Sequence, residues 1–517
     1  MQREKDPLYN MSKKITLFLF AAMLVAGNGA MAQKKAGVAK GKKPLNVLFI
    51  MSDDLRAELA IYGSQQAKTP NLDKLASEGV RFERAYCQYP LCGPSRASLL
   101  TGRRPTTSNL YGNREWFGAT FPDWISLPKY FRQNNYVTYR SGKIFHGGID
   151  DTEAWVTGGE KRQWSNPIDS SAPSAVSADE YWAKFSESIP KTSAGAEKRH
   201  TYSDRWQAVE GDSVNTLGDT KVADRAIGYI KESKKSGKPF FIACGFSKPH
   251  SPLVAPKQFF DLYPVDKITL PPDFSALPSV PIGFPAGAIR TRNADLFVDR
   301  SASPEEARAM IRAYLACVSY VDWNVGRLLA ELDKQGLREN TVIVFVADHG
   351  YQLGEKGKWS KAGSLWEQGA RVPFFIQYPG AKGNGKSSPR VVEMLDIYPT
   401  LADLCGLPQQ KELEGKSLKP LLENPGQEWD RPAYTLWNEH GKGITGVVVR
   451  TEKWRYAEYF GIGEGAFLTD PINDPHELVN LVRNPKYKDV VAQLHKLASD
   501  YVAGKTELPA TTKESLR

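Results

Sequence analysis

Asp53-Asp54 and Asp348-His349 lie far apart in the chain, yet their side chains suit one shared task. Three carboxylates brought together repel unless a cation neutralises them. Hard oxygen ligands of this kind suit Ca²⁺ or Mg²⁺. Asp is also common as a turn residue or helix cap, so the Asp53-Asp54 pair alone leaves both readings open. A nucleophile candidate lies in Leu91-Cys92-Gly93-Pro94-Ser95-Arg96, which leads into ASLLTGR at 97–103. Pro94 suits the first turn of a helix and Gly102 its end. Cys92 then stands at a helix N-terminus, where backbone N–H groups and the dipole favour an anion. Arg96 lies one turn inside, able to pair with an anion or steady a charged oxygen. On these residues alone Cys92 is either a thiol nucleophile or a buried cysteine ahead of a helix. Of the seven histidines, His146, His250 and His349 sit in such segments, with Lys143 beside the first.

What must position these groups is a set of apolar runs. Leu45–Ile50 (LNVLFI) precedes Asp53-Asp54, and Thr341–Val346 (TVIVFV) precedes Asp348-His349. Phe240–Phe246 (FFIACGF) runs into Ser247-Lys248-Pro249-His250, and Tyr136–Tyr139 leads to Lys143 and His146. Short, near-continuous apolar runs read as strands buried on both faces. Helical patterns lie between them, including Asn71–Gly79 and the amphipathic stretch Ala307–Gln335. Strands alternating with helices predict an α/β fold, with a mostly parallel or mixed central sheet flanked by helices. Sites in such sheets form beyond the carboxyl ends of the strands. The four ionisable segments are therefore expected in one cleft.

Near Gly406 the pattern changes. Asp396–Leu404 reads as the last helix of a catalytic domain spanning 44–425. Gly446–Tyr459 alternates and a helix follows at about Asp489–Val502. These predict a smaller C-terminal α+β domain over 430–517 with an antiparallel sheet. Residues 150–215 and 270–305 read as long insertions.

The beginning of the chain carries a different message. Lys13-Lys14 precede the apolar run Ile15–Ala26, and Ala30-Met31-Ala32 precede Gln33. That is the layout of a secretory signal peptide over 1–32, followed by a basic flexible tether over 33–43. The run is too short to span a bilayer, so export to the periplasm or medium is expected, without stable membrane insertion. The 517 residues carry a net charge of +10, which first suggests a polyanionic partner. Residues 1–43 hold nine Lys and Arg against two acids, accounting for +7 and leaving +3 for the rest. Bulk charge therefore does not support a nucleic-acid partner. An apolar content of 41% excludes a disordered chain, and five cysteines are too few for a disulfide scaffold. Cys244 and Cys317, in apolar settings, read as buried thiols.

The run Cys92-Gly93-Pro94-Ser95-Arg96, followed by ASLLTGR, resembles the hallmark of the type I sulfatases. LTGRRPTTSNLYG, NYVTYRSGKIFHGG at Asn135–Gly148, SKPHSP, SYVDWNVGRLL and ADHGYQLGEKGKWSK resemble the iduronate-2-sulfatase branch of that family. The resemblance covers about 44–481. It implies an alkaline-phosphatase-like sulfatase fold and hydrolysis of sulfate esters on a glycan, with a 2-O-sulfated uronic acid as the expected substrate. It also implies that a maturation enzyme converts Cys92 to formylglycine, which revises the reading of Cys92 as a thiol nucleophile. Asp53, Asp54, Asp348, His349 and the residue-92 oxygen would then hold one Ca²⁺. Arg96 would steady the hydrated aldehyde with His146 near it, Lys143 and Lys361 would contact sulfate, and His250 would act as general acid. His349 is a departure, since many sulfatases carry Asn there. An imidazole in a calcium site is unusual on grounds of ligand softness, which leaves another divalent metal open. Competing expectations are a sulfatase for another polysaccharide such as an algal one, a phosphoesterase, and a non-catalytic sulfoglycan-binding protein. His440 is a candidate lining residue of the sugar pocket. His200, His476 and His495 read as structural or exposed.

Overall fold

Continuous burial, without polar alternation, marks the strands at the centre of the molecule. The computed structural model describes residues 43–163, 204–439, 443–461 and 463–505. The signal segment, nearly all of the tether, most of the 150–215 insertion, His200 and His440 lie outside the described residues. In chain order the first ten strands are β1 (Asn46–Asp53), β2 (Val80–Tyr86), β3 (Val137–Gly142), β4 (Trp206–Val209), β5 (Phe240–Pro249), β6 (Leu253–Pro256), β7 (Thr341–Ala347), β8 (Arg371–Val372), β9 (Phe374–Gln377) and β10 (Lys386–Glu393). The last four are β11 (Ala433–Glu439), β12 (Gly443–Arg450), β13 (Arg455–Tyr459) and β14 (Gly465–Thr469).

The main sheet runs β10-β2-β9-β7-β1-β5-β3, with β8 pairing with β2. β7, β1, β5 and β3 are parallel neighbours. β9 is antiparallel to both β7 and β2, which makes the sheet mixed. Every residue of β1 and β7 is buried, as their apolar runs require. Both faces are covered. Phe241 in β5 meets Phe131 of the Leu127–Gln133 helix at 4.8 Å between ring centroids. Tyr139 in β3 is in register with Ile242, so it points to the opposite face from Phe241. There it stacks at 4.7 Å on Tyr229 of the Gly218–Ser236 helix. The Pro304–Lys334 helix packs beside that helix and begins with a capping box between Ser303 and Glu306.

The C-terminal stretch that alternates in sequence is a hairpin, β12 and β13, within an antiparallel sheet ordered β11-β12-β13-β14. The Lys488–Val502 helix buries Leu494, Leu497 and Tyr501 against Val447, Val449 and Tyr434 of this sheet. The small sheet is tied to the main one by polar contacts. The Leu436 N–H donates to the Gln88 carbonyl at 2.9 Å. Buried Arg455 pairs with Glu367 at 3.0 Å and with Glu477 at 3.2 Å. From Lys43 onward the described chain forms one compact unit. Among the described residues no helix is long and apolar enough to cross a membrane.

β3 and β5 end on facing glycines. Gly142 is paired with Gly245, and the Lys143 N–H donates to the Gly245 carbonyl at 2.8 Å. A Cβ on Gly245 would lie 1.9 Å from the Lys143 carbonyl oxygen, and Gly142 has φ +76°. The turn that carries Lys143 towards the strand ends therefore needs this close approach. Gly245→Ala is expected to lower stability by about 1–3 kcal/mol, read as a fall in the urea midpoint. Gly228→Ala, on an exposed helix position with open space, should raise it by about 0.5–1 kcal/mol. An unchanged midpoint for Gly245→Ala would refute the packing argument.

Candidate active site

The carboxyl ends of β7, β1, β5 and β3 lie side by side. Ser52 is level with Ala347 and Phe246, and Gly142 with Gly245. The residues just beyond converge as the apolar runs predict. Asp53 closes β1, and Asp54 follows with a left-handed backbone at φ 64°. That conformation is uncommon for a non-glycine residue, and the surroundings hold it. The Asp54 N–H donates to Asp348 Oδ1 at 3.1 Å, and the Tyr314 hydroxyl donates to the Asp54 carbonyl at 2.7 Å.

Cys92 opens the Cys92–Thr101 helix, which ends at Gly102 in the left-handed region with φ 66°. Arg96, one turn in, has no exposed surface. Its Nε donates to Asp348 Oδ2 at 2.9 Å, and its Nη2 lies 3.3 Å from Asp53 Oδ1. Its Nη1 donates to the carbonyls of Lys143 at 2.7 Å and Ile144 at 3.0 Å. Lys143 Nζ donates to Asp53 Oδ2. Lys361 Nζ lies 2.9 Å from Asp54 Oδ2 and 3.3 Å from Asp295 Oδ1.

The His349 ring is held in one orientation. Its Nδ1 faces the Gly350 carbonyl at 2.9 Å, and a carbonyl only accepts, so Nδ1 carries a proton. Its Nε2 faces Cys92 Sγ at 3.3 Å, Asp54 Oδ1 at 3.5 Å and Asp348 Oδ2 at 3.6 Å. His250 is oriented in the same way. Its Nδ1 donates to the Ser251 carbonyl at 2.6 Å, leaving Nε2 4.0 Å from Asp54 Oδ2. His146 stands on the Lys143 side, with Nδ1 buried and without a hydrogen-bond partner.

The charges explain how three acids share one cleft. Burial pushes Asp53 up, but Lys143, His250 and Arg96 outweigh it and hold its carboxyl well below the usual range. Burial likewise raises Asp54, and His250 and Lys361 reverse this. Asp348 goes up, through burial and the neighbouring Asp53. The Cys92 thiol is pushed well above its ordinary range by burial and Asp53, so an unconverted Cys92 is protonated here and a poor nucleophile. Arg96, Lys143 and Lys361 offset much of the charge of Asp53, Asp54 and Asp348, although Lys361 is shared with Asp295, so mutual repulsion is only part of the case for a metal. Two carboxylate oxygens add to it. Among the described residues Asp53 Oδ1 and Asp54 Oδ1 are buried without a hydrogen bond, with Arg96 Nη2 3.3 Å from the first and His349 Nε2 3.5 Å from the second. Ligand atoms of Asp53, Cys92, Asp348 and His349 lie within 4.8 Å of one another, as do those of Asp54, Cys92 and His250. Two such carboxylate oxygens beside the fixed His349 Nε2 fit a divalent ion.

Asp295 and Asn113 escaped sequence reasoning. Asp295 braces Lys361 from the Pro-rich 270–305 segment, and Asn113 Oδ1 accepts from the Gly93 N–H at 2.8 Å, beside Cys92. Neither follows an apolar strand run, so the strand-end pattern does not mark them. Outside the cleft, His476 and His495 are exposed, as expected. Cys87, Cys244 and Cys317 are buried free thiols, and Cys405 is half-buried and also free.

A mixed α/β sheet with this cluster at its strand ends defines a hydrolase of anionic esters with the alkaline-phosphatase-like architecture. The sulfatase family matches residues 45–407, and the C-terminal family of N-sulphoglucosamine sulphohydrolase matches 354–502. A sulfatase of Formosa agariphila is 35% identical over 480 residues, covering 90% of this chain and 88% of that protein. The iduronate 2-sulfatase of Mus musculus is 33% identical over 496 residues, covering 82% and 86%. In fold, the crystal structure of the phosphonate monoester hydrolase of Agrobacterium radiobacter superposes with a TM-score of 0.68 at 23% identity, covering 90% and 96%. The chain belongs to the sulfatase family and is a sulfuric ester hydrolase.

If the orphaned oxygens hold an ion, binding it stabilises the folded state. Free divalent metal at about 100 times Kd should add about 2.7 kcal/mol, read as a rise in Tm that EDTA reverses. Asp53→Asn should remove that increment. Equal increments in the two proteins would put the ion elsewhere.

Proposed function

We propose that the protein is an exported glycan sulfatase that works through a formylglycine made from Cys92. The observation that carries this reading is the convergence of four strand ends on a buried Cys92 inside an intact sulfatase motif. An aldehyde at this position supplies, when hydrated, two hydroxyls on one carbon, one to attack sulfur and one to expel sulfate afterwards. A divalent ion, read as calcium, would be held by Asp53, Asp54, Asp348, His349 and the residue-92 oxygen, and would supply positive charge beside nucleophile and sulfate.

The chain's own residues do the rest. Arg96, clamped between Asp53 and Asp348, steadies the residue-92 hydroxyl, with His146 beside it. Lys143, now paired with Asp53, and Lys361, now paired with Asp54 and Asp295, bind sulfate oxygens. The three cations are shared among four carboxylates, so further positive charge in the cleft would favour the anionic ester. His250 is the proposed acid for the leaving sugar oxygen, donating from Nε2. With Nδ1 held by the Ser251 carbonyl, Nε2 carries a proton only in the charged ring, and burial above all, with Lys361, lowers the pKa of that ring despite Asp54 and Asp53. The negative charge of a bound sulfate ester is what would favour the charged form in the complex.

Similarity to the iduronate 2-sulfatases supports a 2-O-sulfated uronic acid as substrate. The signal-like segment 1–32 and tether 33–43 support export, to the periplasm or medium. In this reading, 44–425 form the catalytic domain, 430–517 a smaller lobe, and a formylglycine-generating enzyme is an obligatory maturation partner.

Protein from a maturation-competent host should carry an aldehyde at residue 92 by peptide mass spectrometry, and Cys92→Ala should lose about a thousandfold or more in kcat. Full activity with an unconverted thiol would sink the mechanism. His250→Ala should cost about 10²-fold on a sugar sulfate and far less on an aryl sulfate with a good leaving group. Equal losses on both esters would remove His250 from the acid role.

A further inference from the structure

A cavity of about 590 Å³ opens where the 286–292 segment meets β11, β12 and the end of β13. Its size is in the range of small-molecule sites. Arg290 and Arg292 line it, with Trp437, Glu439 and Tyr459. The Arg290 guanidinium sits 5.5 Å from the Trp437 ring centroid and pairs with Glu439 at 3.2 Å. Arg292 pairs with Asp299 at 2.7 Å. Both pairs are exposed, and exposed pairs are weak enough for an incoming anion to displace. The segment itself is fixed. Lys358 Nζ, on a buried residue, donates to the carbonyls of Arg290 at 3.2 Å and Arg292 at 2.7 Å.

Gly363 links the cavity to the catalytic residues along the chain. It lines the cavity and lies two positions from Lys361. It has φ +73°, and a Cβ there would lie 2.7 Å from Arg290 Cδ and 3.3 Å from Trp437 Cε2. Two residues span about 7 Å at most, roughly one sugar unit.

We infer that this cavity is a subsite for an acidic sugar of the glycan chain, with Arg290 and Arg292 receiving a carboxylate or second sulfate and Trp437 stacking on the ring. The inference rests on the glycan sulfatase reading above and adds the class of chain it acts on. Guanidinium forks match carboxylate and sulfate geometry, which an ammonium does not. An indole beside them offers the apolar face of a pyranose a surface.

The test compares Arg290→Ala, Arg290→Lys and the unmutated enzyme on an aryl sulfate and on a uronate-containing sulfated disaccharide, with and without a second sulfate. On the disaccharide Arg290→Ala should raise KM about tenfold or more at nearly constant kcat, with Arg290→Lys between. Aryl sulfate hydrolysis should change less than about twofold, because that substrate does not reach the cavity. Carboxyl reduction of the disaccharide should reproduce the KM rise in the unmutated enzyme if the carboxylate is the ligand. Removal of the second sulfate should do so if that group is. Equal losses on the aryl sulfate and the disaccharide, or no loss on the disaccharide, would overturn the subsite. Calorimetric binding of the desulfated acidic disaccharide needs no turnover. Binding weakened about tenfold by Arg290→Ala upholds the subsite, and unweakened binding overturns it. No sulfate release from any ester by matured, unmutated protein would instead sink the glycan sulfatase reading.

Discussion

Three buried carboxylates and three buried or half-buried cations share one small volume at the end of β1. Asp53 ends β1, Asp54 follows it, and Asp348 follows β7. Arg96 comes from a helix, Lys143 from the turn after β3, and Lys361 from a loop beyond β7. Taking any one of these charges out of water is costly, and a buried charge that loses its partner costs several kcal/mol. The cluster is therefore stable only as a set. Every element that brings a member must arrive with its partner in reach. The facing glycines that let Lys143 in, the left-handed turn at Asp54 and the Asp295 brace on Lys361 serve that single requirement.

The same balance prepares the site for chemistry. Arg96 has no exposed surface and contacts two aspartates and two backbone carbonyls. It cannot swing away, so it is a rigid donor. Lys143 keeps some exposure and can turn between carboxylate and ligand. Two buried carboxylate oxygens without a hydrogen bond among the described residues and the fixed His349 Nε2 lie on the other side. Rigid donors and an adaptable lysine are what preorganised stabilisation of an anionic transition state needs.

Much of this was legible in the sequence, because the signal is local. A buried parallel strand must be apolar along its length, so β1, β5 and β7 announce themselves. The rule that sites lie beyond strand carboxyl ends then nominates Asp53, Asp54, His250, Asp348 and His349. The segment through Tyr139 was less sharp. Its apolar run points to a strand over Tyr136–Tyr139, and the strand runs as Val137–Gly142, because polar Arg140 and Ser141 continue it through pairing with β5. The alternation across Gly446–Tyr459 concealed a hairpin, since polar residues at the turn and on the exposed face look alike in one dimension.

By itself the sequence determined the element types, the sheet class, the motif around Cys92 and the groups able to do chemistry. Those follow from side-chain type and short-range periodicity. Tertiary structure alone decided the pairings: Lys361 with Asp54 and Asp295, Arg96 with Asp53 and Asp348, and Arg290 with Trp437 in the neighbouring cavity. It also changed the argument for a metal. Read from sequence, three carboxylates need a cation merely to coexist. In the fold three basic side chains offset much of that charge, and the case rests as well on two buried oxygens without a hydrogen bond among the described residues. The reason is physical. Charge interaction depends on distance and burial, and residues far apart in the chain acquire both only when the sheet closes.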